Sequence, residues 1–204
     1  MPEKEDMLMN WPERVWIYSP VRVWFLKLHA RKWLRQRGSM RGKNALEIGC
    51  GLGKGARILA ETMGFENVHA FDLEERLIRR AVNGLRSALS DRISFFVADA
   101  QALPFPDAGF DAVVNYGIIH HVLDWRACIR EIGRVLKPGG TFFFEEIYPP
   151  LYANFLLGWM LRHPREDRFN GQQFLAELEK NGLSLVEGVS TNSRFGIVGI
   201  AIKG

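Results

Sequence analysis

The sequence predicts a three-layer α/β fold built on a seven-stranded, mostly parallel sheet with an antiparallel last strand. Three observations predict it. Short apolar runs alternate along the chain with stretches whose apolar residues recur at helical spacing. One of those runs, residues 45–48, empties into glycines at 49, 51, 53 and 55 and then into a helical stretch. The chain ends on two apolar runs separated by a polar turn, which reads as an antiparallel pair.

The first strand, Ala45-Leu46-Glu47-Ile48, is apolar apart from one acid, and Ala56, Ile58 and Leu59 begin the helix after the glycines. Glycines let the backbone pass close to a ligand and adopt dihedrals closed to other residues. Such a turn usually signals a nucleotide, yet the G-x-G-x-x-G fingerprint would need a third glycine where Lys54 stands, and no Gly-Lys-Ser/Thr follows. Glu47 would repel a pyrophosphate and suits a ligand carrying positive charge. A nucleoside with cationic groups fits better.

Residues 67–72 read as the second strand, with Asp72 at its carboxyl end, where doubly wound folds place an acceptor for ribose hydroxyls. The competing role for Asp72 is to cap the helix that begins at Leu73. Leu77, Ile78, Ala81, Val82 and Leu85 then form an apolar stripe. The third strand is 93–97, followed by Asp99 and Ala100; a turn at 106–109 precedes the fourth, 110–115. Tyr116 to Asp124 come next, at the end of the strand where open parallel sheets bind ligands. Cys128, Ile129, Ile132, Val135 and Leu136 mark a helix stopped by Lys137-Pro138-Gly139-Gly140. The fifth strand, 141–147, puts Glu145 or Glu146 at its carboxyl end, where an acid can touch an acceptor or take its proton. Residues 151–161 are apolar on nearly every side, which suits burial against the amino-terminal helix or the wall of a pocket for a greasy acceptor. Phe174, Leu175 and Leu178 lie on the last helix, and 183–186 and 195–202 are the closing strands.

A chain of 204 residues suits one sizeable core. We expect an amino-terminal arm or lid over 1–40 and a single domain over 41–204. With 47% hydrophobic and 25% charged residues the composition is that of a globular protein, and no apolar run reaches the length of a membrane span. The acidic start lacks the features of a signal peptide, so a cytoplasmic location is expected. Cys50 and Cys128 make neither a disulfide framework nor a zinc set; both are expected as free thiols, with no metal site. The net charge of +4 is uneven, because residues 1–44 hold ten Lys and Arg against four Asp and Glu. In that arm, residues 21–35 interleave aromatics with cations and read as an amphipathic helix ending near Gly38. Such a helix packs on its own domain, or lies on a membrane surface, or faces another anionic partner.

The run Glu47-x-Gly49-x-Gly51-x-Gly53 resembles motif I of the class I S-adenosylmethionine-dependent methyltransferases, and four further pieces between Asp72 and Gly140 resemble that family in the same order. Together they cover about half the chain. The resemblance implies a Rossmann-like methyltransferase fold and S-adenosyl-L-methionine as cofactor. It places the cofactor along Glu47, Gly49, Cys50, Gly51 and Gly53, with Asp72 and Leu73 at the ribose. Asp99 and the Ala100 amide meet the adenine, and a backbone carbonyl near Asn115 receives the methionine ammonium. Side chains from Tyr116 to His121 face the methyl group. His120 and His121 cannot both point the same way on a helix, so one is expected to reach the acceptor as general base and the other to pack; Tyr116 and Glu145 are the alternative catalytic groups. In this family the arm often supplies a lid.

Residues 105–121 look most like the subgroup of quinone and other small-molecule methyltransferases. The Asn-Pro-Pro-aromatic run of enzymes that methylate nucleic-acid amino groups is replaced here by Asn115-Tyr116-Gly117-Ile118, and no cysteine is placed for cytosine chemistry. A small-molecule or lipid-like acceptor is therefore the leading expectation. A cofactor-binding partner or sensor without turnover is the second, and an RNA or protein methyltransferase docking through the basic arm is the third.

Overall fold

Helix α1 (Pro20–Arg37) starts where Ser19 accepts a hydrogen bond from the Arg22 amide at 3.1 Å and Pro20 takes the first turn, a position that needs no amide hydrogen. The computed structural model describes residues 15, 17–85, 87–152 and 167–204. The first fourteen residues of the arm, and most of the apolar run 151–161, lie outside them. After α1 come β1 (Asn44–Ile48), α2 (Lys54–Ile58), β2 (Asn67–Asp72), α3 (Glu75–Asn83), β3 (Ile93–Val97), β4 (Phe110–Tyr116), α4 (Trp125–Val135) and β5 (Leu136–Ile147). A single turn, α5 (Pro149–Tyr152), precedes α6 (Gly171–Lys180), β6 (Leu183–Leu185), β7 (Thr191–Ser193) and β8 (Gly196–Lys203).

The sheet runs β3-β2-β1-β4-β5-β8-β6. β1 to β5 are mutually parallel, and β8 lies antiparallel to both β5 and β6. The expected seven-stranded path with its antiparallel last strand is present. The polar turn before β8 holds one strand more, since β7 pairs with the start of β8. β5 also begins earlier than the Pro-Gly-Gly stop suggests: Leu136 already pairs with Phe110, and the register shifts before Ala112 meets Thr141. α2 runs on through a wider π-helical turn, Leu59–Met63, which ends at Gly64.

Strand side chains alternate between faces, and that alternation builds two cores. Leu46, Ile48, Val113, Phe142 and Phe144 pack with α4 and α6 on one side. Ala45, Ala112, Val114, Phe143 and Ile200 pack with α1 and α2 on the other. In α1 the buried residues are Leu26, Ala30 and Trp33; the Trp33 ring stacks on Tyr116 at 5.6 Å and lies 5.5 Å from Phe143. The chain steps outward from β1 to β3 and then returns to β4 on the other side of β1. This reversal opens a crevice at the carboxyl ends of β1 and β4, the place where such sheets take their ligands.

Candidate functional site

The turn after β1 is bare backbone pressed against the side chains of Ile118, beyond β4, and Phe95 of β3. Gly49 and Gly53 have φ of +66° and +70°. A Cβ would lie 2.6 Å from Ile118 Cγ2 at the first and 2.5 Å from Phe95 Cζ at the second, so only glycine fits either position. The Cys50 amide donates to the Phe71 carbonyl at 2.8 Å, and the Gly51 amide donates to Asp72 Oδ2 at 2.9 Å. Asp72 Oδ1 accepts from the Glu74 amide at 2.9 Å, so this carboxylate is oriented by two backbone donors. Asp72 does not cap the next helix, which begins at Glu75 behind Glu74 rather than at Leu73 and has no side-chain hydrogen bond at its cap.

Asp72 and Leu73 line a cleft with Gly49, Asp99, Ala100 and His121. Glu74 also lines it, and the rest of its wall is apolar, including Phe71, Leu77, Ile118 and Val122. Asp99 is held by Gln101, whose amide donates to Oδ1 at 2.9 Å and whose Nε2 donates at 3.1 Å. Of the residues expected at the cofactor, Gly49, Asp72, Leu73, Asp99 and Ala100 therefore share one cavity.

Glu47 sits beneath the turn, only 2% exposed, and its Oε2 is buried without a partner. Burial pushes its carboxyl well above the usual carboxylate range, while the Ala56 amide pulls the other way and Asp72 adds to the rise. A buried, unmatched carboxyl oxygen is costly unless a ligand completes it. Burial likewise raises the Cys50 thiol, and both cysteines are buried and unpaired.

Strand alternation sends the adjacent acids Glu145 and Glu146 to opposite faces. Glu145 points at α1, where Arg22 donates to Oε1 and His29 Nδ1 lies 2.6 Å from Oε2. Glu146 points the other way: Oε1 accepts from Asn115 Nδ2 and from the Ile119 amide, both at 2.7 Å, and Oε2 lies 2.7 Å from His120 Nδ1. Burial pushes its carboxyl up to about 7 against those donors. The Asn115 side chain is a clasp, also donating to the Glu145 carbonyl at 3.0 Å and accepting from the Ile118 amide at 3.0 Å. His120 and His121 occupy one turn of 3-10 helix, both buried with ring centroids 4.2 Å apart; His121 lines the cleft while His120 faces Glu146. The Tyr116 hydroxyl is buried without a partner, and burial with Glu47 nearby raises its pKa far, which keeps it protonated.

Sequence reasoning missed two arm residues. The Tyr18 ring lies where a Cβ on Gly51 would meet it at 3.3 Å, and its carbonyl accepts from Lys54 Nζ at 2.6 Å. Arg22 donates to the Tyr116 carbonyl at 3.2 Å as well as to Glu145. The Glu145 carboxylate in strand β5 and the acid-free α1 carried the signal for that pairing.

A glycine turn beside a cleft lined by Asp72 and Asp99, at the switch point of a parallel sheet, is the arrangement of a nucleoside-cofactor protein of the Rossmann-like methyltransferase class. Residues 46–144 match the family described as a methyltransferase domain, and this part of the chain belongs to that S-adenosylmethionine-dependent family. The fatty-acid O-methyltransferase of Mycolicibacterium smegmatis is 38% identical over 113 residues, covering 53% of this chain and 38% of that protein. The demethylmenaquinone methyltransferase of Geobacillus kaustophilus is 29% identical over 177 residues, covering 72% and 74%. Against the first of these the chain spans well under half of its relative's length. Among solved structures, the PH0226 protein of Pyrococcus horikoshii superposes with a TM-score of 0.74 at 21% identity over 92% of this chain and 93% of that one, a likeness of fold.

Proposed function

We propose that this protein transfers a methyl group from S-adenosyl-L-methionine to a small-molecule or lipid-like acceptor. The observation that carries the reading is the unmatched Glu47 oxygen beneath a glycine turn that opens into a cleft lined by Asp72 and Asp99. Such a constellation fits a ligand with an ammonium at one end and an adenosine at the other. When bound, the cofactor supplies an activated methyl on a sulfonium; transfer forms the acceptor–carbon bond as the carbon–sulfur bond breaks.

This chain's residues then do the rest. Glu47 answers the ammonium, Asp72 takes the ribose hydroxyls with the lone pairs left by Gly51 and Glu74, and Asp99 with the Ala100 amide reads the adenine edge. Leu73, Leu77, Ile118 and Val122 exclude water along the cleft. In this reading a proton from the acceptor passes to the histidine pair, His121 at the cleft and His120 behind it, with Glu146 orienting the His120 imidazole through Nδ1. Glu145 serves instead to hold the arm through Arg22 and His29, which makes α1 with Tyr18 a lid over the turn. The names of the relatives, which act on a fatty acid and on demethylmenaquinone, support an apolar acceptor. Incubation with methyl-labelled cofactor and fractionated lipid and small-molecule extracts tests the reading: a labelled product together with S-adenosylhomocysteine is expected. Cofactor binding with no product from any fraction would favour a silent binder.

A further inference from the structure

The inward face of α1 buries Leu26, Ala30 and Trp33, yet its outward face is apolar as well. Val21, Trp24 and Phe25 are 53%, 57% and 39% exposed, and the partly buried Leu28 continues them at the i, i+3, i+4, i+7 spacing of one helix stripe. The Trp24 and Phe25 rings meet edge to face at 5.0 Å. A helix that only needed to cover its own domain would be polar on this side. Over its next two turns the same outer face carries Arg31 and Arg35, both exposed, with Lys27 and Lys32 on its flanks. The helix has six Lys and Arg and no acid. Two of the cations, Arg22 and Arg37, turn inward to Glu145 and Thr141, and the other four have no ion-pair partner among the described residues.

We propose that this outer face docks the protein on an anionic phospholipid bilayer. Trp24, Phe25 and Val21 enter the headgroup boundary while Lys27, Arg31, Lys32 and Arg35 engage lipid phosphates. An exposed tryptophan beside aliphatic residues, followed by unpaired cations, matches the chemistry of that interface, where amphipathic rings settle at headgroup depth and each cation adds attraction. A second copy of the chain fits poorly, because it would bring four cations against four. Nucleic acid phosphates would use the cations and leave the Val21–Trp24–Phe25 stripe in water. The proposal does not depend on turnover, and no helix among the described residues is long and apolar enough to cross a membrane, so the contact is peripheral.

The test is co-sedimentation of the full chain with vesicles of phosphatidylcholine alone and of phosphatidylcholine mixed with phosphatidylglycerol. Binding to the mixed vesicles at least about tenfold tighter than to the neutral ones is expected, weakening as salt rises. Trp24→Ser with Phe25→Ser should lower partition by about tenfold or more, and Arg31→Glu or Arg35→Glu by about fivefold or more each. S-adenosylhomocysteine binding and the thermal melt of each variant should match the parent, since these side chains face away from cleft and core. No association, equal association with both vesicles, or variants that bind like the parent would overturn the proposal. So would light scattering that shows a dimer abolished by the Trp24/Phe25 variant, which would assign the face to a second copy.

Discussion

Replacing Asp72 with Ala separates what this carboxylate does for the ligand from what it does for the turn. In the protein alone it accepts the Gly51 and Glu74 amides, both at 2.9 Å. Asp72 is half-buried, so water replaces part of what those amides lose, and the fold should weaken by about 1–2 kcal/mol. For a chain of this size that lowers the melting temperature by about 2–8 °C. The ribose diol would lose two hydrogen bonds to a charged acceptor, and we expect S-adenosylhomocysteine binding to weaken by about 2–4 kcal/mol. That is about 30-fold to 1000-fold in Kd, well within the range of calorimetry. The two effects are read independently, by titration well below the variant's melting temperature and by thermal denaturation without ligand. A lower melting temperature with Kd within about threefold of the parent would mean that Asp72 only braces the turn, and that the nucleoside has been placed wrongly.

Gly49→Ala forces a side chain into a left-handed backbone at a cost of about 1–2 kcal/mol and drives its Cβ into Ile118; adding Ile118→Ala should recover part of the lost melting temperature. Glu47→Gln removes a buried carboxyl that has an unmatched oxygen, so the ligand-free protein should melt no lower than the parent, while cofactor affinity measured by calorimetry falls. Glu146 is raised from 4.5 to about 7, so its contribution to stability is present in full below pH 4.5 and is lost as pH rises through about 7. Over the same window the transfer rate should climb as the carboxyl ionises, and Glu146→Gln should flatten both profiles. Trp33→Ala empties the seat of α1 against Tyr116 and Phe143 and should cost about 3–5 kcal/mol in urea denaturation.

Where the signal was local, the sequence was readable. Strand, glycine turn and helix follow one another within twenty residues, and the Asp72 and Asp99 carboxylates both fall at strand ends, so their convergence on one crevice followed from a parallel sheet alone. The divergent fates of Glu145 and Glu146 were legible in principle, because neighbours on a strand face opposite ways. Choosing between them required knowing that α1 covers one face and the His120 turn the other. That long-range packing joins Arg22 to Glu145 across more than a hundred residues and leaves no periodic trace. Which of His120 and His121 faces the cleft was not legible either, because it depends on the single 3-10 turn that carries them and on the Glu146 contact across the strands. β7 escaped notice since three polar residues, Thr191, Asn192 and Ser193, carry no apolar alternation.

A crystal structure of the protein with S-adenosylhomocysteine tests the central claim most directly. The account predicts the adenine against Asp99 and Ala100, the ribose hydroxyls on Asp72, and the amino group drawn toward Glu47, with Gly49 to Gly53 unmoved. Density for the nucleoside elsewhere on the molecule, or a Glu47 that stays unmatched beside an occupied cleft, would contradict it.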